Sequence, residues 1–275
     1  MFIRNHTYIF TQLLAHNYMI RISAVLITLN EGHNLANALA SLKPVVDEIV
    51  VVDSFSTDNT IEIAESFGAR VYTHSFEGFV KQKMIATDYA TNDWVLSIDA
   101  DEVLTPELQQ SILQVKQNPT HDAYRISRIT NFCGKWIKHC GWYPDRIVRL
   151  FNRTKGSWHG ATVHEHWELN EPGKTGLLNG LMQHYSFYTI ADYTRKIEKY
   201  SELGAKAAVE KGKDRSLLHV WLVPKWNFFN NYILRLGILD GYYGYLICKL
   251  SAYESFLKYT KIRQYARLKR QGKPY

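Results

Sequence analysis

Four short apolar runs in the first hundred residues, each followed by a segment of helical spacing, constrain the fold more than any other feature. Ile22–Leu29, Glu48–Val52, Arg70–Thr73 and Trp94–Ile98 read as strands. Asn34–Leu42, Asn59–Phe67 and Phe79–Tyr89 read as helices, and Gly68 supplies a stop after the second. Thr105-Pro106-Glu107 opens another helix, with Thr as cap and Pro in the first turn. Regular strand–helix alternation predicts an α/β fold: a mostly parallel, Rossmann-like sheet flanked by helices. Such sheets bind ligands beyond the carboxyl ends of their strands.

The polar residues fall at those ends. Thr28, Asn30 and Glu31 follow the first strand, Asp53, Ser54 and Asp58 the second, and Asp99, Asp101 and Glu102 the fourth. Carboxylates beside a buried strand are costly without a cation among them. In extended backbone Asp99 and Asp101 would share a face, so both would reach one metal–diphosphate unit. Oxygen ligands of this kind suit Mg2+ or Mn2+. The plain alternative is an acid cluster favoured by a helix dipole. No G-x-G-x-x-G follows the first strand and no G-x-x-x-x-G-K-[ST] occurs, which disfavours dinucleotide and P-loop folds.

From about residue 121 the pattern is mixed. Ala123–Thr130 and Arg146–Phe151 read as strands, and 131–145 and 152–174 as Gly-, Trp- and His-rich loops. Ile190–Lys211 and residues 216–270 read as helical. The apolar stretch Phe228–Leu250 is broken by Arg235, Asp240 and three glycines, which makes it a poor membrane span. It reads better as an amphipathic pair lying on a bilayer or on the rest of the protein. The three cysteines are widely spaced, fit no disulfide or zinc pattern, and are expected as free thiols in a reducing cytoplasm.

The formal net charge of +7 is concentrated at one end. Residues 249–275 contain eight Lys/Arg against one acid, Glu254, which points to an anionic surface such as lipid, with nucleic acid as the rival. No nucleic-acid motif accompanies the charge, so no nucleic acid is expected. Residues 1–20 hold no long apolar core and do not read as a secretory signal. Met19 is a candidate start, which would leave residues 1–18 outside the native chain. The organisation expected is an extension at 1–20, a catalytic domain at 21–212 and a basic, aromatic helical region at 213–275.

Three blocks carry a resemblance: Val25–Glu31, Ile49–Thr60 and Val95–Glu102. In order, spacing and strand context the chain resembles the family 2 glycosyltransferases of the GT-A fold, strongly over residues 21–115 and more loosely to about 205. Within that family it is similar to the branch with lipopolysaccharide-core β-glucosyltransferases. The later marks are Arg146–Phe151, Gly160–Glu165, and His184 followed by Tyr193, Lys196 and Tyr200. Met84 departs from it, since many relatives carry Asn there.

The resemblance implies a nucleotide-sugar donor, UDP-glucose first, and a glycan or glycolipid acceptor at the inner face of the cytoplasmic membrane. Thr28, Asn30 and Glu31 would line the nucleoside pocket, and Asp53 would bond the base or ribose. Asp58 would order its loop, Lys83 would meet the donor near the diphosphate, and Asp99 would contact ribose or sugar. Asp101 would hold the metal, with His184 a further ligand or else structural. Glu165 is the expected base for an inverting transfer, with Asp145 as the alternative and loop anchoring as the bland one. Arg146 and Arg149 would face phosphate, and strand alternation predicts that only one of them reaches the site. Trp136 to Trp158 would shape an acceptor pocket, with core packing as the rival for Trp136 and Trp142. A nucleotidyltransferase on the same type of fold is the competing reaction, although Thr28–Gly32 lacks the cations such enzymes carry there.

Overall fold

The computed structural model describes residues 19–160, 165–171, 173 and 175–275. The expected extension, and Ala161–His164 of the Gly160–Glu165 motif, lie outside them. Two compact units are formed, one from residues up to Arg128 plus Arg146–Gln183, the other from Ile129–Asp145 plus His184–Tyr275.

The first unit has the expected α/β core. β1 (Ile22–Thr28), β2 (Glu48–Asp53), β3 (Arg70–Thr73) and β4 (Trp94–Ser97) carry α1 (Gly32–Leu42), α2 (Thr60–Ser66) and α3 (Phe79–Tyr89) between them. β5 (Glu102–Leu104) and α4 (Pro106–Gln117) follow. β1 pairs in parallel with both β2 and β4, and β2 with β3. β6 (Ala123–Phe132), β8 (Asp145–Asn152) and β11 (Gly176–Phe187) extend the sheet to the order β3-β2-β1-β4-β8-β6-β11-β5, with β7 (Lys135–Ile137) on β6. β8 runs antiparallel to β4. β9 (Gly156–His159) and β10 (His166–Leu169) make a separate antiparallel pair. The result is a mixed, mostly parallel sheet with a helical C-terminus.

Valine and isoleucine runs form these strands because they are buried on both faces. One face of the sheet packs Leu26, Val51 and Leu96 against Leu35 and Leu39 of α1 and Ile112 of α4. The other packs Val25, Val50 and Val95 against Ala86 of α3 and against Trp158 and Trp167 of the β9–β10 pair. Thr105 caps α4, its hydroxyl accepting from the Leu108 N–H, and Gly68 turns out of α2 at a φ of +78°.

Three details differ from expectation. The loops predicted at 131–145 and 152–174 contain β7, β9 and β10. β11, twelve residues long, was hidden because Gly180 and alternating polar residues break its apolar pattern. Asp99 and Asp101 do not sit on extended backbone: the chain turns after Ser97, the Glu102 N–H bonding the Asp99 carbonyl at 3.0 Å. The helix after β11 lies with the C-terminal helices in the second compact unit.

That helix is α5 (Ile190–Glu210), in the second unit with α6 (Leu217–Phe229) and α7 (Gly241–Arg270). A π-helical turn, Asn230–Leu234, and a short 3-10 turn, Gly237–Asp240, join α6 to α7. Ala205 and Val209 of α5 pack on Ile262 and Ala266 of α7. Phe132, Ile137, Phe187, Tyr193 and Cys248 form a second core with Trp142 beside it. Cys133, Cys140 and Cys248 are free thiols, as expected.

Candidate active site

The parallel register of β1, β2 and β4 decides what meets at the carboxyl rim. Thr28 lies opposite Asp53, and Val25 opposite Ser97, two residues before Asp99. The first two ends are tied together by side chains. The Thr28 hydroxyl donates to Asp53 Oδ1 at 2.8 Å, and the Ser56 N–H donates to Asp53 Oδ2 at 2.7 Å. Asn30, at a φ of 55°, accepts from the Thr57 N–H at 2.8 Å. Asp58 accepts from the N–H groups of Gly32 and Thr60, both at 3.1 Å, and so does order its loop. Asp53 is fully buried and its carboxylate serves this network. The residues expected around a nucleoside are thus brought together, most of their polar atoms cross-linking the loops after β1 and β2.

Glu31 completes this rim. Its carboxylate accepts from Asn34 at 3.0 Å. Burial pushes the Glu31 carboxyl up, and the negative charges of Asp101 and Asp99 push in the same direction. Three carboxylates therefore feel one another here, which is an arrangement a cation relieves. Among the described residues no group of three or more His, Cys, Asp or Glu is gathered into a metal cage. The donor set at the turn is hard oxygen, which fits an ion that keeps waters and phosphate oxygens in its shell. Asp101 is the residue that would hold it. His184 belongs to the second unit, where its Nδ1 lies 3.4 Å from the Thr130 hydroxyl.

The turn after β4 also organises a charge network. The Asp99 N–H donates to Glu102 at 2.9 Å. Glu102 is wholly buried and takes Arg128 at 2.9 Å and Arg149 at 3.0 Å, which makes it the structural acid of the three. Arg149 also reaches Asp99 at 2.7 Å. On the other side of Asp99 stands Lys83 of α3, at 2.9 Å, with Nζ 3.3 Å from Glu165. Burial alone would raise the Asp99 carboxyl, but Arg149 and Lys83 overcome it and hold it well below the usual carboxylate range. Burial would likewise lower the Arg149 guanidinium, which Asp99 and Glu102 instead raise.

α3 buries Lys83 beside Gln82, Ala86 and Thr87 because i, i+3 and i+4 share a helix face. The Lys83 ammonium sits 5.4 Å from the Trp158 ring centre, and the Trp158 N–H donates to Thr87 at 3.0 Å. The indole thus fixes the lysine from the β9 side.

Asp99, Arg149, Trp158 and Glu165 line a cavity of about 710 Å3 in the first unit. Arg125, Arg128, Arg146 and Trp167 line it too. The cavity runs along β8 and is bordered by four successive residues, Arg146 to Arg149. Arg125 and Arg128 were missed; their signal was two arginines set among the apolar residues of a strand. Trp142 packs in the second core, and Trp136 stacks edge-on against Tyr185 in the same unit. Asp145 opens β8 and is assigned to the second unit.

The family model described as Glycosyl transferase family 2 matches residues 23–167, from β1 through Trp167. An uncharacterized glycosyltransferase of Rickettsia typhi is 34% identical over 90% of this chain and 88% of its own. The lipopolysaccharide core biosynthesis glycosyltransferase LpsC of Rhizobium meliloti is 28% identical over 90% of this chain and 94% of its own. Among solved structures, S. aureus TarS 1–349 in complex with UDP-GlcNAc aligns over 93% of both chains at 15% identity, with a TM-score of 0.47. Glucosyl-3-phosphoglycerate synthase from Mycobacterium tuberculosis, in complex with Mn2+, UDP and glucosyl-3-phosphoglycerate, aligns over 41% of this chain and 44% of that one at 25% identity and a TM-score of 0.35. With more than half its length inside the family model and a one-third-identical glycosyltransferase spanning nine-tenths of it, the chain belongs to glycosyl transferase family 2, and the reaction is glycosyl transfer and not nucleotidyl transfer.

Proposed function

We propose that the enzyme is an inverting, metal-dependent hexosyltransferase that moves glucose from UDP-glucose to a lipopolysaccharide-core or related cell-envelope glycan at the inner face of the cytoplasmic membrane. The observation that carries it is the Asp99–Lys83–Glu165 bridge beside Arg149 in one cavity. The lipopolysaccharide acceptor is supported by the likeness to LpsC over nearly the whole of both chains.

In this reading Thr28, Asn30, Glu31 and Asp53 shape the nucleoside end, and Asp99 meets ribose or the donor sugar. Asp101 would hold Mg2+ or Mn2+, which would offset the charge of the leaving diphosphate. Arg149 and Lys83 bring cations to the same end. Glu165 takes the proton of the acceptor hydroxyl as it attacks the anomeric carbon opposite the leaving group. Lys83 holds Glu165 Oε1, and the other oxygen is the one that accepts the proton. Trp158 and Trp167, packed in the core, close the cavity on the β9–β10 side.

The test is transfer from UDP-glucose to purified core oligosaccharides, with Mn2+ or Mg2+ present. Glu165→Gln should lower kcat by about 10²–10⁴ while the donor still raises the melting temperature. Asp101→Ala should abolish the part of that rise that depends on the metal. An unchanged kcat in the first variant moves the base to another residue, and an unchanged metal response in the second removes Asp101 as the ligand.

A further inference from the structure

The outer face of α6 is apolar where a soluble helix is polar. Leu217, Leu218, Trp221, Leu222, Trp226 and Phe229 are all exposed, with the exposed Lys225 among them. Phe228 packs into the core that α7 shares, and the Asn227 side chain donates to the Ser255 hydroxyl at 2.7 Å, so α6 is held on α7 while most of its large apolar side chains stay exposed. The exposed run continues through the turns that follow. Leu218, Trp221, Leu222, Trp226, Leu239 and Tyr242 are each 57–68% exposed. Soluble proteins rarely leave so many large apolar side chains in water without a partner for them.

Charge says which partner. Between residues 217 and 249 the cations are Lys225, Arg235 and Lys249, all exposed. The single acid is Asp240, which is buried and accepts from the N–H groups of Lys138 and His139 at 3.2 and 2.8 Å. Lys225 lies 5.9 Å from the Trp221 ring centre, and Lys249 4.9 Å from that of Phe228. Tryptophan, tyrosine and leucine bordered by lysine and arginine, with no exposed carboxylate, match the interface of an anionic bilayer. No helix among the described residues is long and apolar enough to cross a membrane, so the contact is made lying down. Two cations of the basic tail are paired within the protein: Lys261 bonds Glu198 at 2.7 Å and Arg270 bonds Asp214 at 2.9 Å.

We propose that residues 217–242 are a bilayer-insertion surface, holding the enzyme by burial of α6 and the following turns rather than by the charge of the C-terminal tail. This rests on the reading of the enzyme as membrane-bound and identifies the surface and the force. The experiment is sedimentation of the full chain with vesicles of phosphatidylethanolamine and phosphatidylglycerol, together with tryptophan fluorescence. The wild-type chain should pellet, shift its emission to the blue, and stay bound in about 1 M salt, where exposed charges are screened within about 3 Å. Replacing Leu218, Trp221, Leu222 and Trp226 by Ser should lower the bound-to-free ratio about tenfold or more, with an unchanged melting temperature and an unchanged UDP-glucose response. If that variant pellets like the wild type while charge reversal at Lys258 and Arg267 releases it, the membrane reading stands and this surface is wrong. A wild-type chain that does not pellet overturns both. A solution dimer that the variant splits into monomers assigns the face to a second copy and overturns the proposal.

Discussion

Asp99 is the residue on which the charge network after β4 turns. Its carboxylate titrates at lower pH in the folded chain than in the unfolded one, since Arg149 and Lys83 outweigh its burial. A depressed carboxyl adds stability above its unfolded value, about 3.9, and that stability is lost as pH falls through the folded value. Wild-type stability in urea should therefore drop below about pH 4, and Asp99→Asn should flatten that part of the profile. Removing the cation is the harsher change. Arg149→Ala leaves Asp99 and the buried Glu102 short of a partner and should cost about 3–5 kcal/mol at neutral pH. Glu31 works in the opposite sense, its carboxyl raised by burial and by Asp101 and Asp99. Glu31→Gln removes a repulsion, so the metal-free protein should melt higher while its metal-dependent shift shrinks, both read by thermal denaturation. These residues were visible as polar breaks after apolar runs. Lys83, Arg149 and Glu165 were expected near the site only through the family resemblance, and their pairing with Asp99 and with one another follows from the folded chain.

At the scale of the element, the turn after β4 and the strand β11 show where local pattern stops being informative. Two carboxylates in D-x-D spacing share a face only if the backbone is extended. Here the Glu102 side chain accepts from the Asp99 N–H and closes a turn instead. β11 passes so close to α4 that a Cβ on Gly180 would lie 2.2 Å from the Leu108 nitrogen, at a φ of +92°. Gly180→Ala combines a disfavoured conformation with a clash against backbone and should destabilise by about 1–3 kcal/mol or more, measured by urea unfolding. The strands β1, β2 and β4 were legible because parallel strands buried on both faces are unbroken apolar runs. β11 was not, since its glycine is required by a neighbour that only the fold supplies.

At the scale of the whole molecule, the two units revise what a truncation does. Cutting after Lys213 reads from sequence as removing a basic appendage. In the structure α5 precedes the cut and buries Ala205 and Val209 on α7, which follows it. A chain ending at Lys213 should aggregate or lose cooperative unfolding, as judged by soluble yield and circular dichroism, and so says nothing about membrane release. Point changes on the exposed face of α6 are the cleaner probe of that surface.

The linear order of apolar runs, helical spacings and strand-end acids was enough to determine the α/β class, the parallel core and the rim where the site lies. It sufficed because each depends on residues within one element or one loop. Tertiary structure alone decided that Lys83 bridges Asp99 and Glu165, that Arg125 and Arg128 join Arg146 and Arg149 around the cavity, and that α6 turns leucine and tryptophan outward. Each of these depends on which face of one element another covers, and burial of that kind is a property of the packed chain, not of any stretch of it.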